Sequence, residues 1–138
     1  MILIDLNVLL DVIQKREPHF ASSAALLDHV LAGKVEGAIP AHALTTIHYL
    51  VNRHNSQGDA DQAIDWLLAH FSIAGIGKNE LIRARSLGWS DFEDAVVVAA
   101  AQSSGCQAII TRNVRDFTET PIPTMTPQEF LTFNPEDL

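Results

Sequence analysis

The segment "IITRNVRDF" (109–117) decides how the chain is read. Two isoleucines run into Thr111, and Arg112, Asn113, Arg115 and Asp116 follow before Phe117 closes the segment. A short apolar run bounded by polar residues is consistent with a strand buried on both faces, the kind found in parallel sheets. Its end is unusual, because a hydroxyl, an amide and a carboxylate stand where plain turn residues would do. In sheets of alternating strands and helices, ligands bind outside the carboxyl ends of the strands. The residues that close each strand are therefore the ones to collect.

Working outward, "MILID" (1–5) is a second apolar run with an acidic end, followed by helical periodicity through Val8, Leu9, Val12 and Ile13. Pro18 suits the first turn of a predicted helix over 18–32, which Gly33 ends. "VEGAIP" (35–40) predicts a second strand and 41–53 a helix, after which "SQGDAD" (56–61) breaks the chain. A helix over 60–71 carries Ile64, Leu67, Leu68 and Phe71 on one face, and "SIAGIG" (72–77) is a weaker strand. Asn79 is placed to cap a helix to Leu87, and Ser90 or Asp91 one to Ser103. "QAIIT" (107–111) and "IPTM" (122–125) complete the strands, and a helix over 127–132 closes the chain. This alternation predicts an α/β fold with a mostly parallel sheet covered on both faces, one domain over 1–138.

Composition bounds the function. The chain has 138 residues, 47% hydrophobic and 19% charged, which suits an ordered domain with a single core. A net charge of −8 argues against a broad phosphate-binding surface, so contact with nucleic acid would need local arginines or bridging cations. The single cysteine, Cys106, excludes an internal disulfide and a cysteine-based zinc site, and is expected to pack as a small apolar residue. The longest apolar run, "AVVVAAA" (95–101), is far shorter than the ~20 residues that span a bilayer. Asp5 and Asp11 interrupt the first apolar stretch and no basic segment precedes it, so the expectation is no membrane insertion and a cytoplasmic location.

The strand ends bring chemistry with them. Asp5 and Asn7 follow the first strand, and Thr111, Asn113 and Asp116 follow the fourth. Asp91 and Asp94 share a face near a helix N-terminus. Crowded carboxylates raise one another's pKa, and a divalent cation removes that penalty. Oxygen ligands favour Mg²⁺ or Mn²⁺ over zinc, and such an ion activates water and stabilises the charge that develops on a phosphodiester. Arg112 and Arg115 flank these acids and offer bidentate phosphate contacts. Each residue also has a plainer reading: Asp91 and Asp94 as helix caps, Thr111 as a β-branched strand residue, Asn113 and Asp116 as turn formers. Their joint placement at strand ends favours function. His42 and His48 lack a metal-binding spacing, and Asp59, Asp61 and Asp65 read as a cap and a solvated helix face. There is no phosphate-cradling glycine loop and no G-x-S-x-G motif.

In "LIDLNVLLDV" (3–12), "DFEDAVVVAAAQ" (91–102), "IITRNVRDF" (109–117) and "IPTMTPQEFL" (122–131) the chain resembles the PIN-domain proteins, many of which are metal-dependent ribonucleases or VapC-type toxins. The resemblance implies an α/β/α sandwich with a parallel sheet, one or two Mg²⁺ or Mn²⁺ ions and hydrolysis of RNA. It implies that Asp5 takes the first acidic position, Asp94 the third, and Asn113 or Asp116 the fourth. Asp94 and Asp116 then join Asp5 as the catalytic acids. Thr111 is the strand-end hydroxyl, Asn7 orients Asp5, and Asp91 is an auxiliary acid. RNA, a small antitoxin protein and a second copy of the chain are the partners it implies. One departure stands out: "ALTTIHYL" (43–50) carries Thr46 where the family usually has a glutamate. A PIN fold that binds RNA or a protein without turnover is the second reading. A phosphoacceptor receiver domain is excluded, because neither "GAIP" nor "IAGIG" ends a middle strand in aspartate.

Overall fold

Strand pairing organises the chain. A computed structural model describes residues 1–117 and 119–133, so the last five residues of the expected domain lie outside it. Five strands, β1 (Ile2–Ile4), β2 (Gly37–Pro40), β3 (Ser72–Ala74), β4 (Ala108–Ile110) and β5 (Thr124–Met125), form one sheet in the order β3-β2-β1-β4-β5. Every pairing is parallel, with Leu3 beside Ala38 on one side and Ile109 on the other. Parallel neighbours need crossover connections, and the described residues hold seven helices: α1 (Leu6–Ile13) and α2 (Phe20–Leu31) between β1 and β2, α3 (Ala41–His54) and α4 (Gln57–His70) between β2 and β3, α5 (Lys78–Ser86) and α6 (Phe92–Ser103) between β3 and β4, and α7 (Pro127–Thr132) after β5, which β4 reaches through a segment with a 3-10 turn.

The apolar strands are buried on both faces, and their two-residue period divides them between two cores. Ile2, Ile4, Ile39, Ala108 and Ile110 pack with Val8, Leu9, Leu26, Ile47, Leu67 and Phe130 from α1–α4 and α7. Leu3, Ala38, Ala74 and Ile109 face the other way, onto Val97, Val98, Ala100 and Ala101 of α6. The run from Ala95 to Ala101 is wholly buried because α6 is sandwiched between the sheet and α5. The result is the expected three-layer α/β/α arrangement.

Helix boundaries differ from expectation where a cap outranks the apolar pattern. Pro18 stays in the turn before α2, which starts at Phe20. Ser56 accepts from the Asp59 backbone N–H at 3.1 Å and starts α4 at Gln57, so "SQGDAD" is mostly helix. Leu68, expected on the apolar face of that helix, is exposed. Gly77 rather than Asn79 begins α5, because the Glu80 carboxylate accepts the Gly77 N–H at 2.9 Å. Gly33 ends α2 as expected, with a φ of 75° that a residue bearing a Cβ adopts at a cost. Cys106 is buried, which pushes its thiol pKa up.

Candidate metal centre

The strand order creates the site. The chain moves from β1 to β2 and β3 on one side, then returns to place β4 on the other. The switch point lies between β1 and β4, where connections leave in opposite directions and open a crevice. The Asp5 N–H donates to Ile110 O at 2.9 Å across this seam. Asp5 and Thr111, the residues that end these two strands, are consequently neighbours.

Asp5 is buried and closes the first turn of α1, its Oδ1 accepting the Leu6 N–H at 2.8 Å. Thr111 Oγ1 donates to Asp5 Oδ2 at 2.9 Å. Asn7 Nδ2 lies 3.3 Å from Thr111 Oγ1 and 3.5 Å from Asp5 Oδ2, while its Oδ1 accepts the Arg112 N–H at 3.3 Å. The Asn113 N–H completes the knot, donating to Thr111 Oγ1 at 3.1 Å. Four expected site residues thus hold one carboxylate in a fixed orientation. Burial pushes the Asp5 pKa up, the hydrogen bonds from Thr111 and Leu6 oppose that shift, and the charge of Glu93 adds to it.

Asp91 caps α6, its Oδ1 accepting the Asp94 N–H at 3.1 Å. The Asp94 carboxyl is pushed up to about 7, first by burial and then by the charges of Asp91, Asp5 and Asp116. Asp91, Asp94 and Asp116 line a cavity of about 440 Å³ with Trp89 and Ser90, and no lysine or arginine among the described residues lines it. Asp116 reaches it from a short 3-10 turn, Val114–Asp116, whereas Asn113 is exposed and outside the lining. Of the two candidates for the fourth acidic position, Asp116 is the one the fold brings to the other acids.

Two flanking arginines part ways. Arg112 Nε lies 2.7 Å from Oδ2 of Asp11, a fully buried carboxylate in α1 that also accepts from Ser23 Oγ at 3.1 Å. The Nε–H is not aligned along that contact, so it is an ion pair more than a directed hydrogen bond. Arg115 is exposed on the 3-10 turn. Sequence reasoning passed over Asp11, although a carboxylate inside an apolar helical stripe was a signal. It also passed over Glu93, whose Oε1 lies 3.7 Å from His42 Nε2 at the start of α3.

The donors fit a hard dication. They are oxygens, and beyond burial the negative charge of neighbouring acids raises the pKa of both Asp5 and Asp94. Among the described residues, no three acidic, histidine or cysteine side chains are close enough as they stand to enclose a metal ion. Closure of that kind is not required, because Mg²⁺ keeps several waters and is commonly held by one or two carboxylates. A second concavity, about 410 Å³ and bordered by Gly37 and Ser72, lies at the opposite ends of the strands and carries no such cluster among the described residues.

The parallel sheet with acids gathered at its switch point defines an α/β/α sandwich with a carboxylate-lined crevice. A PIN-domain family model matches residues 1–115, and the chain belongs to the PIN-domain family. The chain is 24% identical over 137 residues to ribonuclease VapC1 of Aquifex aeolicus strain VF5, covering 94% of this chain and 92% of that one. It superposes on a toxin–antitoxin complex from Klebsiella pneumoniae with a TM-score of 0.71 at 23% identity, covering 92% of this chain and 98% of the other. Mycobacterium tuberculosis VapC20, described as a sarcin-ricin loop cleaving toxin, aligns with a TM-score of 0.63 at 18% identity, over 79% of this chain and 87% of that one. PIN-domain ribonucleases of the VapC type generally depend on divalent metals. Among the described residues no helix is long and apolar enough to cross a membrane.

Proposed function

We propose that this protein is an endoribonuclease that hydrolyses RNA phosphodiester bonds with Mg²⁺ or Mn²⁺, and that it is the toxin of a toxin–antitoxin pair. The observation that carries the reading is the gathering of Asp5, Asp91 and Asp116 within electrostatic reach of Asp94, with no basic side chain among the described residues of the cavity lining. Asp5, Asp94 and Asp116 are the residues that would hold the ion, with Asp91 and Asn113 at its margin. When bound, the ion lowers the pKa of a water and stabilises the phosphodiester's developing charge.

The protein's own groups do the rest. Thr111 and Asn7 fix the orientation of Asp5, so its free lone pairs are already aimed when the ion arrives. Burial and the neighbouring acids push the Asp94 carboxyl up to about 7, so a metal bound there would displace its proton. Arg115, exposed beside Asp116, is placed to contact a backbone phosphate, and the outer edge of Arg112 is a second candidate. On a chain with net charge −8, such local contacts are what RNA binding needs. The toxin–antitoxin assemblies among the structural neighbours support a small antitoxin as partner. Exposed Leu81, Ile82 and Phe92 would give a second copy an apolar face to cover.

The second reading, an RNA- or protein-binding PIN fold without turnover, draws on Thr46 in place of the family glutamate. Both readings meet one experiment: cleavage of a mixed RNA pool, together with the thermal shift caused by millimolar Mn²⁺. The wild type is expected to cleave and to gain stability by mass action, about 2.7 kcal/mol at a hundredfold excess over Kd. Asp5→Asn and Asp94→Asn should lose both. A Mn²⁺ shift without cleavage would favour the second reading, and a full shift in both variants would remove the site assignment.

A further inference from the structure

We propose that the cavity beside Arg112, between the starts of α2 and α7, binds a phosphate of the RNA strand other than the one that is cut. The proposal rests on the reading of this protein as one that acts on RNA and extends it to a second, separate contact.

The pocket is built around one arginine. Its volume is about 180 Å³, several times the ~30 Å³ that a water takes up in the liquid, and Arg112, His19, Ser22, Thr126 and Gln128 line it. No acid is among the described residues of the lining, the reverse of the cavity that Asp91, Asp94 and Asp116 share. Arg112 is held at two points of α1, one turn apart. Its N–H donates to Asn7 Oδ1 at 3.3 Å, and its Nε lies 2.7 Å from Asp11 Oδ2. A guanidinium carries five N–H donors, and the Asp11 contact is made through Nε, which leaves the two terminal nitrogens to donate elsewhere. A counterion serving Asp11 alone needs no opening to water, yet the Arg112 side chain is 24% exposed and borders the pocket.

The rest of the lining supplies donors. Thr126 Oγ1 accepts the Glu129 N–H at 3.1 Å and keeps its own proton to give. The Glu129 carboxylate is turned back onto the Thr126 N–H and does not enter the lining. The Gln128 amide and the His19 ring each add an N–H. A phosphodiester accepts from all of these, and the planar fork of arginine matches two of its oxygens. Asp11 offsets the charge of Arg112, so the pocket works through directed donors and suits one phosphate rather than a broad polyanion.

Position ties the pocket to the path of a strand. Arg112 follows Thr111, whose hydroxyl donates to Asp5. Helices α1, α2 and α7 cover one face of the sheet and α6 the other, so pocket and acid cavity flank the carboxyl edge from opposite faces. RNA crossing that edge with one phosphate at the acids brings a neighbouring phosphate over Arg112.

The test is fluorescence anisotropy of a short labelled single-stranded RNA, with Ca²⁺ replacing Mg²⁺ to hold back turnover. Wild type is compared with Arg112→Lys, Gln128→Glu and Gln62→Glu. Lysine keeps a cation for Asp11 but has no fork to reach a phosphate as well. Gln128→Glu puts a carboxylate in the pocket without touching the Asp11 pair, and decides the matter if Arg112→Lys fails to fold. Gln62 is exposed on α4 and controls for one added negative charge. Arg112→Lys and Gln128→Glu should each weaken RNA binding roughly tenfold, the scale of one hydrogen bond to a charged group, and Gln62→Glu should leave it unchanged. Equal affinity for wild type, Arg112→Lys and Gln128→Glu would overturn the pocket and leave the RNA reading standing. A wild type that binds no RNA would remove that reading and the pocket with it. A thermal shift by millimolar inorganic phosphate that Gln128→Glu abolishes, beside unchanged RNA affinity, would reassign the pocket to a free anion and overturn the proposal.

Discussion

Asp5 and Asp11 open the same segment and are both buried, yet their surroundings are opposite. Asp11 has its counterion built in, with Arg112 at 2.7 Å and the Ser23 hydroxyl at 3.1 Å. Asp5 receives hydrogen bonds from Thr111, Leu6 and, more distantly, Asn7, and among the described residues no lysine or arginine pairs with it. Removing a carboxylate from water is costly, and a fold offsets that cost with a paired charge, hydrogen bonds, a bound ion or a raised pKa. Where the chain supplies the cation itself, the charge ties α1, α2 and the segment after β4 together. Where it supplies none, hydrogen bonds alone orient the carboxylate, as the proposed metal site requires.

The sharpest way to break this contrast is at the paired end. Arg112→Met leaves Asp11 fully buried with only Ser23, and should destabilise the fold by about 3–5 kcal/mol in urea denaturation. Asp11→Asn should cost less, about 1–3 kcal/mol, because Arg112 is 24% exposed and can turn toward water. Equal stability for Arg112→Met and wild type would end the structural reading of that pair.

The unpaired end should respond with the opposite sign. The Asp94 pKa rises from 3.8 unfolded to about 7 folded, so the native state binds the proton more tightly. Below 3.8 the group is protonated in both states and neutral to stability relative to the acid form. As pH climbs from 3.8 through about 7 the folded protein loses stability, and above 7 the full penalty is present. Metal-free Asp94→Asn should therefore be more stable than wild type at pH 8, by about 1 kcal/mol once solvent screening is allowed for, with the gap closing toward pH 5. Melting curves across pH with chelator present would measure it. A gap that widens on acidification would contradict burial and neighbouring acids as the origin of the Asp94 shift.

The smallest expected effect is at Thr46. Half-buried on α3, it has no side-chain hydrogen bond among the described residues, so glutamate fits without breaking a partner. Thr46→Glu should lower stability slightly without metal and bind Mn²⁺ somewhat more tightly, since added ligand charge raises affinity for a hard dication. A melting temperature that moves equally with and without Mn²⁺ would mean that Thr46 does not face the site.

Much of this was legible in residue order. The three layers follow from apolar runs too short for helices, punctuated by caps and by helical periodicity, and the all-parallel sheet follows from their alternation. Asp5 and Thr111 were legible because strand ends are where such sheets place ligands. Asp94 was legible from its spacing to Asp91. That Asp116 and not Asn113 lines the cavity with Asp91 and Asp94 was not, because the direction of a 3-10 turn decides it. Local spacing cannot decide which way a three-residue turn points.

The sequence by itself determined the elements, the sheet's hydrophobic division and the acids available at its edge, because these depend on near-neighbour patterns of polarity and on the reach of single turns. Tertiary structure alone decided which charges would be cancelled. Arg112, just after β4, finds Asp11 on α1, and Glu93 on α6 reaches His42 on α3, each across many residues of chain. Coulomb interactions fall with distance in space, not along the sequence, so the partition into an aspartate paired with an arginine and one held by hydrogen bonds alone exists only once the strands have brought distant segments together.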